Sequence, residues 1–204
     1  MLTEPLHGVV LAGGRSRRLG VDKALLRFGG QPLVRIVVDR VAGICDEVVV
    51  AVDRPERFQG VALAARLVAD VALGLGPLSG LHSGLKACQV DHVLVVACDL
   101  PFLNEKLLRY MAEQPRAYQA LVPWADERWH PLHSIYNRSC LPEVERMVRR
   151  GGGSMRDLLS RLDVRRLSGE ELRRLDPDGL SFLNLNRRAD LARARAIWRD
   201  LRQD

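Results

Sequence analysis

Apolar residues in this chain come in short, dense runs separated by stretches of helical period. The runs occupy residues 6–12, Glu47 to Val52, Arg66 to Ala69, Val93 to Ala97 and Gln119 to Val122. They are rich in valine and bounded by turn residues, as buried strands are. The second and fourth are continuous in apolar residues rather than alternating, which suits parallel strands covered on both faces. Between the first two runs, Leu33, Ile36, Val37, Arg40 and Val41 mark a helix that Pro32 opens and Gly43 ends. The pattern predicts further helices at Asn104 to Gln114, at Pro142 to Arg150, from a Ser154 cap to Arg161, and at the end of the chain. Strands alternating with helices predict an α/β fold in three layers around a mostly parallel sheet. The 204 residues suffice for one domain, and no linker, repeat or low-complexity tract divides them.

In open α/β sheets, ligands bind beyond the carboxyl ends of the strands. That rule selects the loops at Gly13, Ala51, Asp70 and Asp99. The first is the most informative. After Gly8-Val9-Val10-Leu11-Ala12 come Gly13-Gly14, then Arg15, Arg17 and Arg18, then Gly20 and Asp22-Lys23. Adjacent glycines let backbone bend sharply and approach a ligand, and backbone N–H groups with Arg and Lys charges make an anion cradle. The loop is not a Walker A motif, because Lys23 follows Gly20 by three residues and precedes Ala24. It is not a GxGxxG fingerprint either, because the two glycines adjoin. A solvated basic turn would account for the arginines but not for two glycines directly after a strand.

Two other strand ends carry chemistry. Leu73 to Gly84, LGLGPLSGLHSG, has four glycines and opens a helix near Pro77. It reads as a ligand-approach loop, as a helix packed close on the sheet through small residues, or as both. Asp99 ends the most apolar strand, where a carboxylate is expensive unless it binds a cation or accepts hydrogen bonds. It could cap the next helix, but Asn104 can do that itself. A hard oxygen at that place suits Mg²⁺ shared with substrate phosphates.

The order of these stretches is similar to a known family. LAGGRSRRLGVDK resembles the LAGGxSxRMGxDK loop of the nucleoside-triphosphate transferases, and is most similar to the molybdenum cofactor guanylyltransferase branch. GPLSGLHSGL resembles its GPLAGxxxGL segment, ACDLPFL its xCDxPFL motif, and SFLNLNRRADL its NxNTPEDL end. The resemblance implies a Rossmann-like nucleotidyltransferase fold and GMP transfer from GTP to the phosphate of molybdenum-molybdopterin, with release of pyrophosphate. It implies Lys23, Asp99 and Arg18 as catalytic residues. It implies a nucleotide site at Leu11, Ala12, Gly13, Gly14, Lys23, Asp70, Gly76, Pro77, Gly80 and Asp99, with Asp70 as a base or ribose contact. Asp99 would hold Mg²⁺. Asn186 either supplies the metal a second oxygen or caps the last helix, and the sequence leaves both open. His130-Pro131-Leu132 resembles the strand beside the acceptor pocket. Other proteins of molybdenum cofactor biosynthesis are implied partners. The chain departs from the family at Arg187-Arg188, where Thr-Pro is usual, and at Ala51, where asparagine is frequent.

Composition narrows the remaining classes. The net charge of +6 comes almost entirely from arginine, since only Lys23, Lys86 and Lys106 are lysines. This suits an anionic substrate. No basic stretch interleaved with aromatics supports nucleic acid. No apolar run reaches the roughly 20 residues of a membrane helix, and Glu4 near the start does not fit a secretory signal. The expectation is a cytoplasmic protein. Cys45, Cys88, Cys98 and Cys140 show no CxxC spacing and read as isolated thiols, not a zinc or disulfide framework. His130 and His133 read as strand residues facing opposite ways, which disfavours a shared metal. Gly151-Gly152-Gly153 reads as a hinge. The sixteen arginines of residues 138–204 read mostly as solvated helix faces. A short strand is expected to present Asn184 and Asn186 on one face.

Overall fold

The computed structural model describes residues 4–13, 22–71 and 74–201. In chain order the elements are β1 (Leu6–Leu11), β2 (Arg27–Phe28), β3 (Gln31–Pro32), α1 (Leu33–Ala42), β4 (Glu47–Val52), β5 (Arg66–Ala69), α2 (Pro77–Ala87), β6 (His92–Ala97), α3 (Glu105–Ala112), β7 (Ala120–Ala125), β8 (Arg128–Trp129), β9 (His133–Asn137), α4 (Leu141–Arg149), α5 (Met155–Leu159), β10 (Val164–Leu167), α6 (Gly169–Leu175) and α7 (Arg188–Asp200). The main sheet runs β10-β7-β9-β6-β1-β4-β5, with β8 paired to β7. β1 lies parallel to both β4 and β6, and β4 to β5. The exceptions are β9, antiparallel to β6 and β7, and the short β8, antiparallel to β7. The parallel strands expected from the apolar runs are present, and the antiparallel β9 begins at His133, where a loop entering a strand was expected, without a sign of its direction.

Alternate residues of each central strand feed opposite cores. Val10, Val50 and Leu94 face α1 and α3, whereas Val9, Val49 and Val95 face α2, α4 and α5. Two full faces explain why the runs are continuously apolar. On the α2 side the helix lies close, because a Cβ on Gly84 would sit 2.5 Å from Val9 Cγ1. Glycine inside a helix costs about 1 kcal/mol relative to alanine. Burial of Leu78, Leu81 and Leu85, all 0% exposed, contributes about 1.5–3 kcal/mol each and outweighs it. The small-residue reading of this stretch therefore holds, and it fixes the helix start against the strand ends.

A third core ties the last part of the chain to the first. Phe28, Leu33, Ile36, Phe102, Leu185 and Ala194 pack together with Trp198 against them. The Phe28 and Trp198 rings meet edge to face at 5.0 Å. Leu185 N–H donates to the Asp99 carbonyl at 3.1 Å. The segment before α7 is thus pinned beside β6, but it is an irregular extended stretch and not the short strand expected.

One further expectation changes. Gly151 N–H donates to Val148 O and Gly152 N–H to Met147 O, with φ of 90° and 104°. This is the paired-bond Schellman ending of α4, so these glycines cap a helix where the sequence suggested a hinge. Ser154 does cap α5, reciprocally with Asp157. The four cysteines are buried and free. Among the described residues no helix is long and apolar enough to cross a membrane.

Candidate active site

A cavity of about 1200 Å³ opens at the carboxyl ends of β1, β4, β5 and β6. Its position follows from topology. The chain leaves β1 for β4 and β5 on one side, then crosses back to β6 on the other, and the helices of the two crossovers diverge above β1. Leu11, Ala12, Gly13, Lys23, Asp70, Gly76, Pro77, Gly80, Asp99 and Asn186 all line this one space. These are the candidate residues that fall within the described part of the chain. Gly14 and Arg18 lie outside it.

Lys23 is the hub. Its Nζ donates to Asp99 Oδ2 at 2.8 Å and to Asn186 Oδ1 at 2.6 Å. Both members of the Lys23–Asp99 pair are largely withdrawn from solvent, at 16% and 13% side-chain exposure. Burial pushes the Asp99 carboxyl above the usual carboxylate range, and the Lys23 charge pulls it part of the way back. Asp99 is not a helix cap. Asn104 Oδ1 accepts from the N–H groups of Lys106 and Leu107 instead. Nor does Asn186 cap α7, because Asp190 Oδ2 accepts from the N–H groups of Asn186 and Arg187. The asparagine amide is left to face the lysine.

The wall opposite Lys23 is made by small residues and one carboxylate. A Cβ on Gly13 would sit 2.9 Å from Asp70 Oδ2, and one on Gly80 would sit 3.7 Å from Asp70 Oδ1. Asp70 therefore lies between the end of β1 and the start of α2. Gly76 adopts φ 62°, open to glycine at little cost, and turns the chain so that the α2 N-terminus faces the cavity. The helix dipole there favours an anion. Asp70 Oδ1, Asp99 Oδ1 and Asn184 Oδ1 are buried and find no hydrogen-bond partner among the described residues. Buried acceptors without donors are uncommon in folded proteins. Three around one cavity fit a ligand that brings hydroxyl or N–H donors and a cation.

The Asp70 carboxyl is pushed up to about 6, first by burial and then by the Asp53 charge. A carboxyl whose folded pKa exceeds its unfolded value holds its proton better in the fold. That stabilisation is full below the unfolded value of 3.8 and is lost as pH rises through about 6. Asp70→Asn is therefore expected to be about 1 kcal/mol more stable than the parent at pH 8, after allowing for solvent in the open cavity, and to lose that advantage near pH 4. Thermal unfolding at the two pH values checks this. An advantage that does not change with pH would contradict it.

The cavity also holds residues that sequence reasoning passed over. Asp53 and Arg54 follow β4 and reach its wall. Ala51, where the resemblance leads one to expect asparagine, contributes a methyl group, and the polar groups there come from residues two and three positions on. Asp53 in turn is bound by Arg57, which also holds Asp22. The expected geometry of His130 and His133 is corrected. Both rings lie against Phe182, with centroids at 4.2 and 5.0 Å. The turn through Pro131, closed by His133 N–H to His130 O, breaks the strand, so the alternation rule does not apply across it. Leu132, from that turn, lines the cavity. A second hollow of about 920 Å³ adjoins the first through Asn184 and Asn186, and its lining mixes Arg128, Arg173, Arg187 and Arg193 with Asp126, Glu127, Asp176, Asp178 and Asp190.

Residues 8–167 match the family model described as the MobA-like NTP transferase domain. A probable molybdenum cofactor guanylyltransferase of Pelotomaculum thermopropionicum is 38% identical over 93% of this chain and 92% of its own length. A molybdenum cofactor guanylyltransferase of Desulfosudis oleivorans is 33% identical over 95% and 96%. Among solved structures, molybdopterin-guanine dinucleotide biosynthesis protein A of Archaeoglobus fulgidus superposes with a TM-score of 0.84 at 27% identity, covering 95% of this chain and 99% of that one.

Proposed function

The chain belongs to the MobA-like NTP transferase family, and from that membership and the cavity we propose that it is a molybdenum cofactor guanylyltransferase. It transfers GMP from GTP to the terminal phosphate of molybdenum-molybdopterin. An acceptor phosphate oxygen forms a bond to the α-phosphorus, the bond from that phosphorus to the β-phosphate bridging oxygen breaks, and pyrophosphate leaves with that electron pair. A phosphate nucleophile is already ionised at neutral pH, so no general base is required. The observation that carries this reading is Lys23 Nζ, held between Asp99 and Asn186 on the floor of a cavity rimmed by the α2 N-terminus.

The residues then take these roles. The backbone from Leu11 to Gly14 and the Lys23 ammonium hold the triphosphate, and Arg18 assists. Charge placed in advance at a closed site is what lowers the barrier for such a transfer, along with alignment of the two reactants. Asp70 accepts from ribose or base hydrogen-bond donors at Gly76, Pro77 and Gly80. The unpartnered Asp99 Oδ1 suits Mg²⁺, which takes few protein oxygens and leaves room for phosphates. Asp99 would hold it, with the Asn186 amide oxygen as the second protein donor, and when bound it neutralises charge on the phosphates. The acceptor occupies the adjoining hollow, where the departure to Arg187 adds a cation next to the shared Asn186. Free buried thiols suit a reducing, cytoplasmic setting for the same reaction.

The test is incubation of the protein with each nucleoside triphosphate and molybdopterin in Mg²⁺, following pyrophosphate. Release is expected with GTP and only when the acceptor is present. Release with CTP instead, or with a sugar phosphate in place of molybdopterin, would replace the substrate assignment.

A further inference from the structure

Resting on that reading of the cavity, we propose that Arg57 is a positioning residue for the nucleotide triphosphate. It clips the turn that presents Lys23 to the end of β4, and it neutralises two carboxylates that would otherwise face the phosphates. Arg57 lies far from the glycine loop in sequence and belongs to none of the motifs, but it bonds Asp22 at the end of the first. It sits on the short turn Pro55–Phe58, with Phe58 buried beneath it at 2% exposure. Its own side chain is only 16% exposed. The guanidinium spans the gap between two segments. Nε donates to Asp22 Oδ2 at 2.8 Å, one terminal nitrogen donates to that same oxygen, and the other donates to Asp53 Oδ1.

Asp22 and Asp53 are placed to matter. Asp22 immediately precedes Lys23, and its other oxygen accepts from Ala24 N–H at 3.1 Å. The turn is also tied from behind, by Val34 N–H to Ala24 O and Leu33 N–H to Leu26 O. Arg57 is the tie from the front, so that Lys23 leaves a turn fixed on both sides. A planar fork holding two carboxylates is a task for Arg rather than Lys. Asp53 lines the nucleotide cavity, and its backbone nitrogen lies 3.5 Å from where a Gly13 Cβ would be. Its charge already reaches Asp70. An unpaired carboxylate there would repel a polyphosphate, and so would a freed Asp22.

The test measures GTP affinity by calorimetric titration, and KM and kcat for each substrate, on Arg57→Gln, Arg57→Lys and Arg57→Gln combined with Asp53→Asn. Arg57→Gln is expected to raise both Kd and KM for GTP at least tenfold while KM for the acceptor stays within twofold. Arg57→Lys, which keeps the charge and loses the fork, is expected to recover part of that loss. Adding Asp53→Asn to Arg57→Gln is expected to recover part as well, because it removes the stranded charge. If Arg57→Gln does not fold, Arg57→Lys decides, with a GTP Kd raised severalfold in a folded protein. A folded Arg57 variant with parental GTP affinity overturns the proposal, and so does an equal rise in KM for both substrates, which would mark general damage to the fold. A parent protein that binds no GTP would instead overturn the substrate assignment on which the proposal rests.

Discussion

Replacing Asp99 by asparagine is expected to slow nucleotidyl transfer by about 10³-fold, roughly 4 kcal/mol of transition-state stabilisation. Asparagine keeps the shape of the side chain and an oxygen for Lys23 Nζ, which lies 2.8 Å from Asp99 Oδ2. What it removes is the negative charge and the unpartnered oxygen, Oδ1, at the end of β6. Lys23 loses its buried counter-charge but keeps a neutral oxygen partner, and the rest of the fold has little reason to change. Leu107, Leu108 and Met111 keep α3 buried, and Asn104 caps it without help from Asp99. Thermal unfolding should therefore move by only a few degrees while pyrophosphate release falls steeply. Turnover within tenfold of the parent would remove Asp99 from the reaction.

Lys23→Ala is expected to act on both stability and binding, for one physical reason. Lys23 is the partner that offsets burial at Asp99. Without it the carboxylate stays buried and unpaired, and breaking a buried pair from one side is strongly destabilising. A loss of about 2–4 kcal/mol is expected at pH 8. Asp99 already has a raised carboxyl pKa, and loss of Lys23 raises it further. The deficit should therefore shrink as pH falls and Asp99 takes up a proton. GTP affinity should drop by about 10²-fold, in line with loss of a charge-assisted phosphate contact of about 1.5–3 kcal/mol. Unfolding at pH 5 and pH 8, together with nucleotide titration, separates the two effects. Unchanged GTP affinity in the folded variant would take Lys23 out of the nucleotide site.

The central strands that build the cavity, β1, β4 and β6, were legible because each is buried on both faces, which leaves a dense apolar run in the sequence. The site residues at their ends were legible because glycine, lysine and aspartate are out of place after such a run. Asn104 was legible as a cap by its position before α3, and that freed Asp99 for another role. What escaped had signals too short or too distant. The two-residue strands β2 and β3 carry no period. β9 follows a Pro131 turn, and reading through that turn put His130 and His133 on opposite sides of a strand when both pack on Phe182. Gly151 and Gly152 looked like a hinge because a Schellman ending and a flexible joint draw on the same residue. Arg57 looked like any surface arginine, since its partner Asp22 is 35 positions away. Only the folded chain brings them together.

The packing of Trp198 and Leu185 over Phe28 and Phe102 has a bearing on how the protein is made. A ribosome emits residues in numerical order, so Asn184, Asn186 and the helix that anchors them emerge after the strands that they close over. Until they do, Phe28 keeps Leu33, Ile36 and Phe102 but lacks the cover of Leu185 and Trp198, and the Lys23 ammonium has one of its two oxygen partners among the described residues. A chain cut before Leu185 thus lacks part of this core and half of the oxygen partners of Lys23, so the core and the floor of the cavity are completed together.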